Sequence, residues 1–218
     1  TSMAKASRGA TLNLLQSAAR AGRTALAPPA GQPRALYVHV PFCPSVCPYC
    51  DFHKMLRSGP LVARYLGRLE AEIEALSAAY PGPLDTVYFG GGTPSHLTDT
   101  ELERVFGALQ RGWGANGSAA APLASTELTL EADPLTFDAA RLERFAALGV
   151  SRLSIGLQST QDAVLSFLGR VHDSVAGLEA VRLALASGLQ TNVDIIMAVP
   201  GQRLADDLRA VLNMGASH

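Results

Sequence analysis

From Ala35 onward, short β-branched or apolar runs alternate with longer stretches of 3.6-residue periodicity, the pattern of consecutive βα units around a parallel sheet. Five units are expected. Strands read at 35–40, 86–89, 127–131, 152–156 and 191–198, and helices at about 61–79, 99–111, 137–148, 161–168 with 174–187, and 204–214. Thr98 with Glu101 fits a capping box, Asp138 suits a helix N-terminus, and Gly149 and Gly188 suit the position just past a helix end. Residues 112–125, rich in Gly, Ala and Ser, read as a flexible surface insertion.

Right-handed crossovers repeated in this way build either an open doubly wound sheet or a barrel. The chemically unusual residues fall at the carboxyl ends of several strands. Cys43, Cys47 and Cys50 follow the first, Gly90 to Thr93 the second, Glu131 ends the third, Gln158 follows the fourth and Asp194 lies in the fifth. A site spread over several strand ends is what a barrel supplies, whereas a doubly wound sheet focuses its site on one switch point. The expected fold is α/β, a partial (β/α) barrel.

Composition narrows the function classes. With 218 residues, 48% apolar and 17% charged, the chain can bury a sizeable core, which excludes a disordered polar segment or a small stapled scaffold. Lys and Arg number 18 against 19 Asp and Glu, a formal charge of −1, so nothing global points to nucleic acid or an anionic membrane. The longest apolar stretch, around 195–200, is too short for a transmembrane segment.

The charge is unevenly spread. No Asp or Glu precedes Asp51, while Lys5, Arg8, Arg20, Arg23 and Arg34 stand among Ser, Thr and Ala, with Leu12, Leu15 and Ala19 at helical spacing. Residues 1–34 therefore read either as a transit peptide for a mitochondrion or other organelle, or as an unstructured Ala/Arg leader from a gene start set too far upstream, on a protein that is then expected to be cytoplasmic. Both readings set them apart from the folded core.

Three cysteines, an odd number within eight residues, do not suit a disulfide framework. The C-x3-C-x2-C loop has three readings. A structural zinc would need a fourth ligand such as His39 or His53. A redox C-x2-C pair would leave Cys43 unexplained. A [4Fe-4S] cluster on three thiolates would leave one iron open to an outside ligand. The spacing favours the cluster over zinc, with inert buried thiols third.

The segments YVHVPFCPSVCPYCDF, YFGGGTPS, LTLEADP, RLSIGLQS, LGRVH and NVDIIMAVPGQ, in that order over about 35–214, resemble the radical S-adenosylmethionine (SAM) family, in its coproporphyrinogen oxidase-like branch. The resemblance implies that Cys43, Cys47 and Cys50 ligate a [4Fe-4S] cluster whose open iron is chelated by SAM. It implies cofactor contacts at Tyr37, Gly91, Gly92, Thr93, Glu131, Gln158, Arg170 and Asp194. Local alternatives stand beside these roles. Tyr37 also reads as a packed aromatic on the first strand, the glycine run as a tight turn, and Arg170 with Glu131 as an ion pair. Asp194 sits in an apolar run, where a carboxylate needs a partner. His53, His96 and His172 read as exposed or packing residues.

Within the branch, the oxidases usually carry a further cysteine two positions after the third, where this chain has Phe52. CPYCDF instead resembles the HemW-type haem chaperones, including mitochondrial radical SAM domain-containing proteins. The resemblance then implies haem or porphyrin as ligand, a haem-acceptor protein and a low-potential electron donor. An oxygen-independent coproporphyrinogen III oxidase is the alternative. IMAVPGQ in place of the more usual YGLPGQ brings Met197 and Ala198 to the wall near Asp194. Members of the branch continue with a sixth strand and a C-terminal domain. Residues 35–218 are therefore expected to be a core domain incomplete at its C-terminal end, with its fifth strand left as an edge.

Overall fold

A computed structural model of the chain describes residues 31–113, 123, 125–216 and 218. The leader reading and most of the 112–125 insertion fall outside these residues. Arg34, grouped with the leader by its charge, belongs to the folded unit: its carbonyl accepts the Asp85 N–H at 2.7 Å, and its guanidinium pairs with the Asp85 carboxylate.

One sheet carries the unit. Its strands are β1 (Ala35–Val40), β4 (Thr86–Gly91), β5 (Glu127–Ala132), β6 (Arg152–Gln158) and β7 (Gln190–Ile195), all parallel and adjacent in that order. Chain order and sheet order coincide, without the reversal that makes a switch point, so the sheet is a segment of a barrel. β1 and β7 are its edges, and on β7 the Val193 N–H donates to the His218 carbonyl at 3.0 Å.

The period of two along each strand separates two faces. Val38, Phe89, Leu130 and Leu153 lie in register across four strands, with Val87 and Leu128 beside them, all buried beneath the helices. Each such side chain contributes about 1.5–3 kcal/mol on burial. The other face reads Tyr37, Tyr88 and Thr129 in one row and Glu131, Ser154 and Asn192 in the next. The apolar face holds the fold together, and the polar face is left for chemistry.

The connecting helices are α1 (Gly59–Ala79), α2 (Asp99–Trp113), α3 (Ala139–Ala147), α4 (Asp162–Phe167), α5 (Ser174–Ala186) and α6 (Leu204–Asn213). The capping box forms: Thr98 N–H donates to Glu101 Oε2 at 2.8 Å and Glu101 N–H to Thr98 Oγ1 at 3.3 Å. Asp138 accepts from Arg141 N–H at 2.8 Å, and Gly149 and Gly188 take φ of +97° and +81° at their helix ends. α2 runs two residues further than periodicity predicts because Trp113 is buried and donates its indole N–H to the Tyr80 carbonyl at 2.8 Å. β7 stops three residues short of the predicted strand. There Ile196 N–H turns to the Gln158 carbonyl at 3.0 Å and Ala198 adopts φ +64°, which takes the chain out of the ladder.

Candidate functional site

The cysteine loop is closed by a pairing that apolar periodicity is too short to reveal. β2 (Phe42–Cys43) pairs in parallel with β3 (Met55–Leu56), and Met55 N–H donates to the Pro41 carbonyl at 2.8 Å. His39 Nε2 bonds the His53 carbonyl at 2.8 Å, Lys54 Nζ donates to the Cys50 carbonyl, and Cys50 N–H closes a turn onto the Cys47 carbonyl at 3.2 Å. The three thiols are thereby held on one short, tied loop, Cys43 buried and the other two half-buried. Burial pushes the Cys43 thiol up from its ordinary pKa, opposed by a hydrogen bond with Thr93 and the charge of Lys54.

The glycine run after β4 is required first by the protein itself. A Cβ on Gly91, at φ +111°, would lie 2.5 Å from the His39 ring, and one on Gly92 would lie 2.8 Å from the Pro41 carbonyl carbon. These residues let the β4 loop touch the base of the cysteine loop. The N–H groups of Gly91, Gly92 and Thr93 are spent on Glu131 Oε2 (3.1 Å), the Val40 carbonyl (2.8 Å) and the Phe42 carbonyl (2.8 Å). These three N–H groups are therefore taken up by the protein itself.

Glu131 accepts from the Tyr88 hydroxyl at 2.8 Å as well as from Gly91 N–H. Burial raises its pKa against those two bonds. It makes no ion pair with Arg170, which instead reaches Asp133. The Arg170 guanidinium pairs with that carboxylate, donates to the Gly156 carbonyl at 3.0 Å, and lies 3.6 Å from Cys47 Sγ and 3.4 Å from the Tyr49 hydroxyl. Burial disfavours its charge, and Asp133, Tyr49 and Cys47 more than restore it. Among the described residues, its buried Nε has no partner. Tyr49, pushed by burial up to about 12, stays a phenol.

Gln158 takes φ +70°, uncommon for a residue other than glycine, at the register shift between β6 and β7. Asp194 finds its partners in Asn192 Nδ2 at 2.7 Å and Ser154 Oγ at 3.1 Å.

One cavity of about 510 Å³ joins these residues. Cys43, Cys47, Cys50, Gly91, Gly92, Thr93, Glu131, Gln158, Arg170 and Asp194 all line it. Tyr37 does not. It is 56% exposed, bonded through its hydroxyl to His39 Nδ1 at 3.0 Å and stacked at 6.1 Å on Tyr88, which is the aromatic on the wall. Sequence reasoning also missed Asp133, Tyr49, Lys54 and Ser154 among the lining residues. Tyr88 and Ser154 were findable: each falls on the same strand face as a residue already singled out, Tyr88 with Gly90 and Ser154 with Gln158.

The histidines take other work. Both His39 nitrogens are engaged, to the Tyr37 hydroxyl and the His53 carbonyl, which removes it as a fourth ligand. His172 is buried with Nε2 on the Leu157 carbonyl at 3.1 Å. Among the described residues, no three His, Cys, Asp or Glu side chains gather closely enough for a mononuclear metal ion. Three thiols lining a cavity that holds no fourth fit a group that takes three thiolates and keeps one metal position open.

A barrel segment with three cysteines after its first strand and an acid-, amide- and arginine-lined cavity at the strand ends defines the class. The Radical SAM superfamily model matches residues 37–213, and the chain belongs to that family. Heme chaperone HemW of Haemophilus influenzae is 31% identical over 196 residues, covering 85% of this chain and 49% of that protein. Radical S-adenosyl methionine domain-containing protein 1, mitochondrial, of Bos taurus is 37% identical over 185 residues, covering 83% and 40%. Among solved structures, coproporphyrinogen III oxidase (HemN) from Escherichia coli, described as a radical SAM enzyme, matches with a TM-score of 0.74 at 28% identity, covering 84% and 42%. The chain spans about half the length of the curated relatives it matches. Among the described residues, no helix is long and apolar enough to cross a membrane.

Proposed function

We propose that Cys43, Cys47 and Cys50 hold a [4Fe-4S] cluster, that SAM binds beside it in the 510 Å³ cavity, and that the protein is a haem chaperone that passes haem to acceptor proteins. The observation that carries the cofactor reading is the convergence of all three cysteines with Glu131, Gln158, Arg170 and Asp194 on that one cavity. When bound, the two groups supply reductive cleavage of the sulfonium by one electron from an external donor.

The protein's own residues bind and orient. Arg170, kept charged by Asp133, suits a ligand carboxylate. The Gly91 and Gly92 carbonyls suit an ammonium, because the neighbouring N–H groups are already used. Glu131 and Asp194 are acceptors for ribose hydroxyls or the ligand amine, Gln158 offers an amide, and Thr93 shares its hydroxyl with Cys43. Tyr37 acts on the site through the Tyr88 ring.

The haem reading draws on the names of the relatives and on Phe52. This ring is 69% exposed while lining the cavity, an apolar surface where an oxidase of this branch has a further thiol. Coproporphyrinogen oxidation is the second reading, favoured by the likeness to HemN. Titrating the anaerobically reconstituted chain with haem and assaying it with coproporphyrinogen separates them. A stable haem absorption band without porphyrinogen turnover supports the chaperone; turnover overturns it. For residues 1–34, the mitochondrial reading expects N-terminal sequencing of the cellular protein to start near Arg34, and an intact Met3 overturns it.

A further inference from the structure

The turn after β6 and the loop after β7 both converge on a side chain that lies outside the cavity. Asp207, on α6, is completely buried, and among the described residues no Lys or Arg pairs with it. Its carboxylate is satisfied by neutral donors: Thr160 N–H at 2.7 Å, Thr160 Oγ1 at 2.7 Å, Ser159 Oγ at 3.0 Å and Gln202 Nε2 at 2.9 Å. Burial raises its pKa, and the bonds from Thr160, Gln161 and Gln202 outweigh that, so it is a carboxylate at neutral pH.

Gln202 carries the tether onward. Its Nε2 also donates to the Ile196 carbonyl at 2.7 Å, and its Oε1 accepts from Val199 N–H at 3.3 Å. Ile196 N–H in turn donates to the Gln158 carbonyl at 3.0 Å, across the register shift where Gln158 holds its left-handed conformation. Such a conformation persists only where the surroundings enforce it. Ser159 and Thr160, which donate directly to Asp207, follow Gln158 in the chain. Gln158 and Ile196 both line the cavity, and Asp207 does not.

We propose that Asp207 is a positioning residue for the cofactor site, fixing Gln158 and Ile196 from behind the wall that β6 and β7 supply. This rests on the reading that the cavity takes SAM. A carboxylate is suited to the task because it accepts from four donors on two segments at once, which an amide cannot.

The test is Asp207→Asn in the reconstituted 218-residue chain, with Gln202→Ala as a second variant that cuts only the onward tether and Asp206→Asn as an exposed control on the same helix. SAM affinity is read by equilibrium dialysis, the SAM-induced change in the EPR spectrum of the reduced cluster reports placement, and iron content reports the cysteine loop. Both test variants are expected to bind SAM about tenfold more weakly, which is about 1.4 kcal/mol, with iron content unchanged and the EPR change diminished. Asp206→Asn should match the parent in all three. SAM affinity within twofold of the parent in both variants overturns the inference, as does loss of iron and SAM together, which marks a general folding role. A parent chain that loads iron and binds no SAM overturns the cofactor reading itself, and the inference falls with it.

Discussion

Replacing Arg170 by alanine strands a buried acid. The Arg170 and Asp133 side chains are only 9% and 11% exposed and pair directly. Truncation removes that pair, the bond to the Gly156 carbonyl at 3.0 Å, and the approaches to Cys47 and Tyr49. Asp133 keeps the Leu135 N–H at 3.1 Å. Removing one partner of a buried pair costs about 3–5 kcal/mol, because the remaining charge loses its compensation. For a folded unit of this size each kcal/mol moves the melting temperature by about 2–4 °C, so a fall of roughly 6–20 °C is expected at pH 7. Urea denaturation at pH 7 measures the loss, and Arg170→Met with Asp133→Leu should regain most of it. A deficit below about 1 kcal/mol would refute the reasoning, since that is how a solvated surface pair behaves.

Gly92→Ala is expected to destabilise the chain by about 1–3 kcal/mol and to lower iron loading, because the new methyl meets the backbone of Pro41 and Val40, which cannot yield as a side chain can. Gly59→Ala, where the added methyl has open space, is the control; equal stability and iron content in the two variants would show that the close approach is misplaced. Glu131→Gln tests the buried carboxylate. Burial raises the folded-state pKa, so the stability Glu131 contributes is greatest at low pH and is lost as pH rises through the folded value. The glutamine variant should be at least as stable as the parent at pH 7, with any advantage shrinking toward pH 4, while SAM affinity falls at least about tenfold. Thermal melts at both pH values with SAM dialysis check it, and a loss of stability at pH 7 would contradict the assignment.

The legible features were those fixed by local pattern. The β1 limits, the Thr98 capping box, the Asp138 cap and the glycine helix ends follow from residue type over a few positions, and all are present. The gathering of motifs at strand ends was legible because βα connectivity puts every such end on one side of the sheet. What escaped depends on pairings between distant segments. The two-residue strands β2 and β3 carry too few residues for a periodic signal, yet they close the cysteine loop. Arg170 was read against Glu131, but its partner is Asp133, two residues further on, past the end of β5, which registers only when β5 and the turn before α5 are set side by side. Tyr37 carries a contact role by its place in the motif; in the structure it stacks on Tyr88, which lines the cavity. The Asp207 tether is invisible in sequence because Asp207 lies outside the quoted segments and joins residues 48 and five positions away through neutral donors.

The central claim is that the three cysteines hold an open-sited cluster with SAM beside it. Anaerobic reconstitution with iron and sulfide, followed by metal counting and EPR of the reduced chain with and without SAM, addresses it directly. About four iron per chain is expected, with a reduced-state signal that changes on adding SAM and is absent in Cys47→Ala. Stoichiometric zinc with no cluster signal, or a Cys47→Ala spectrum identical to the parent's, would contradict it.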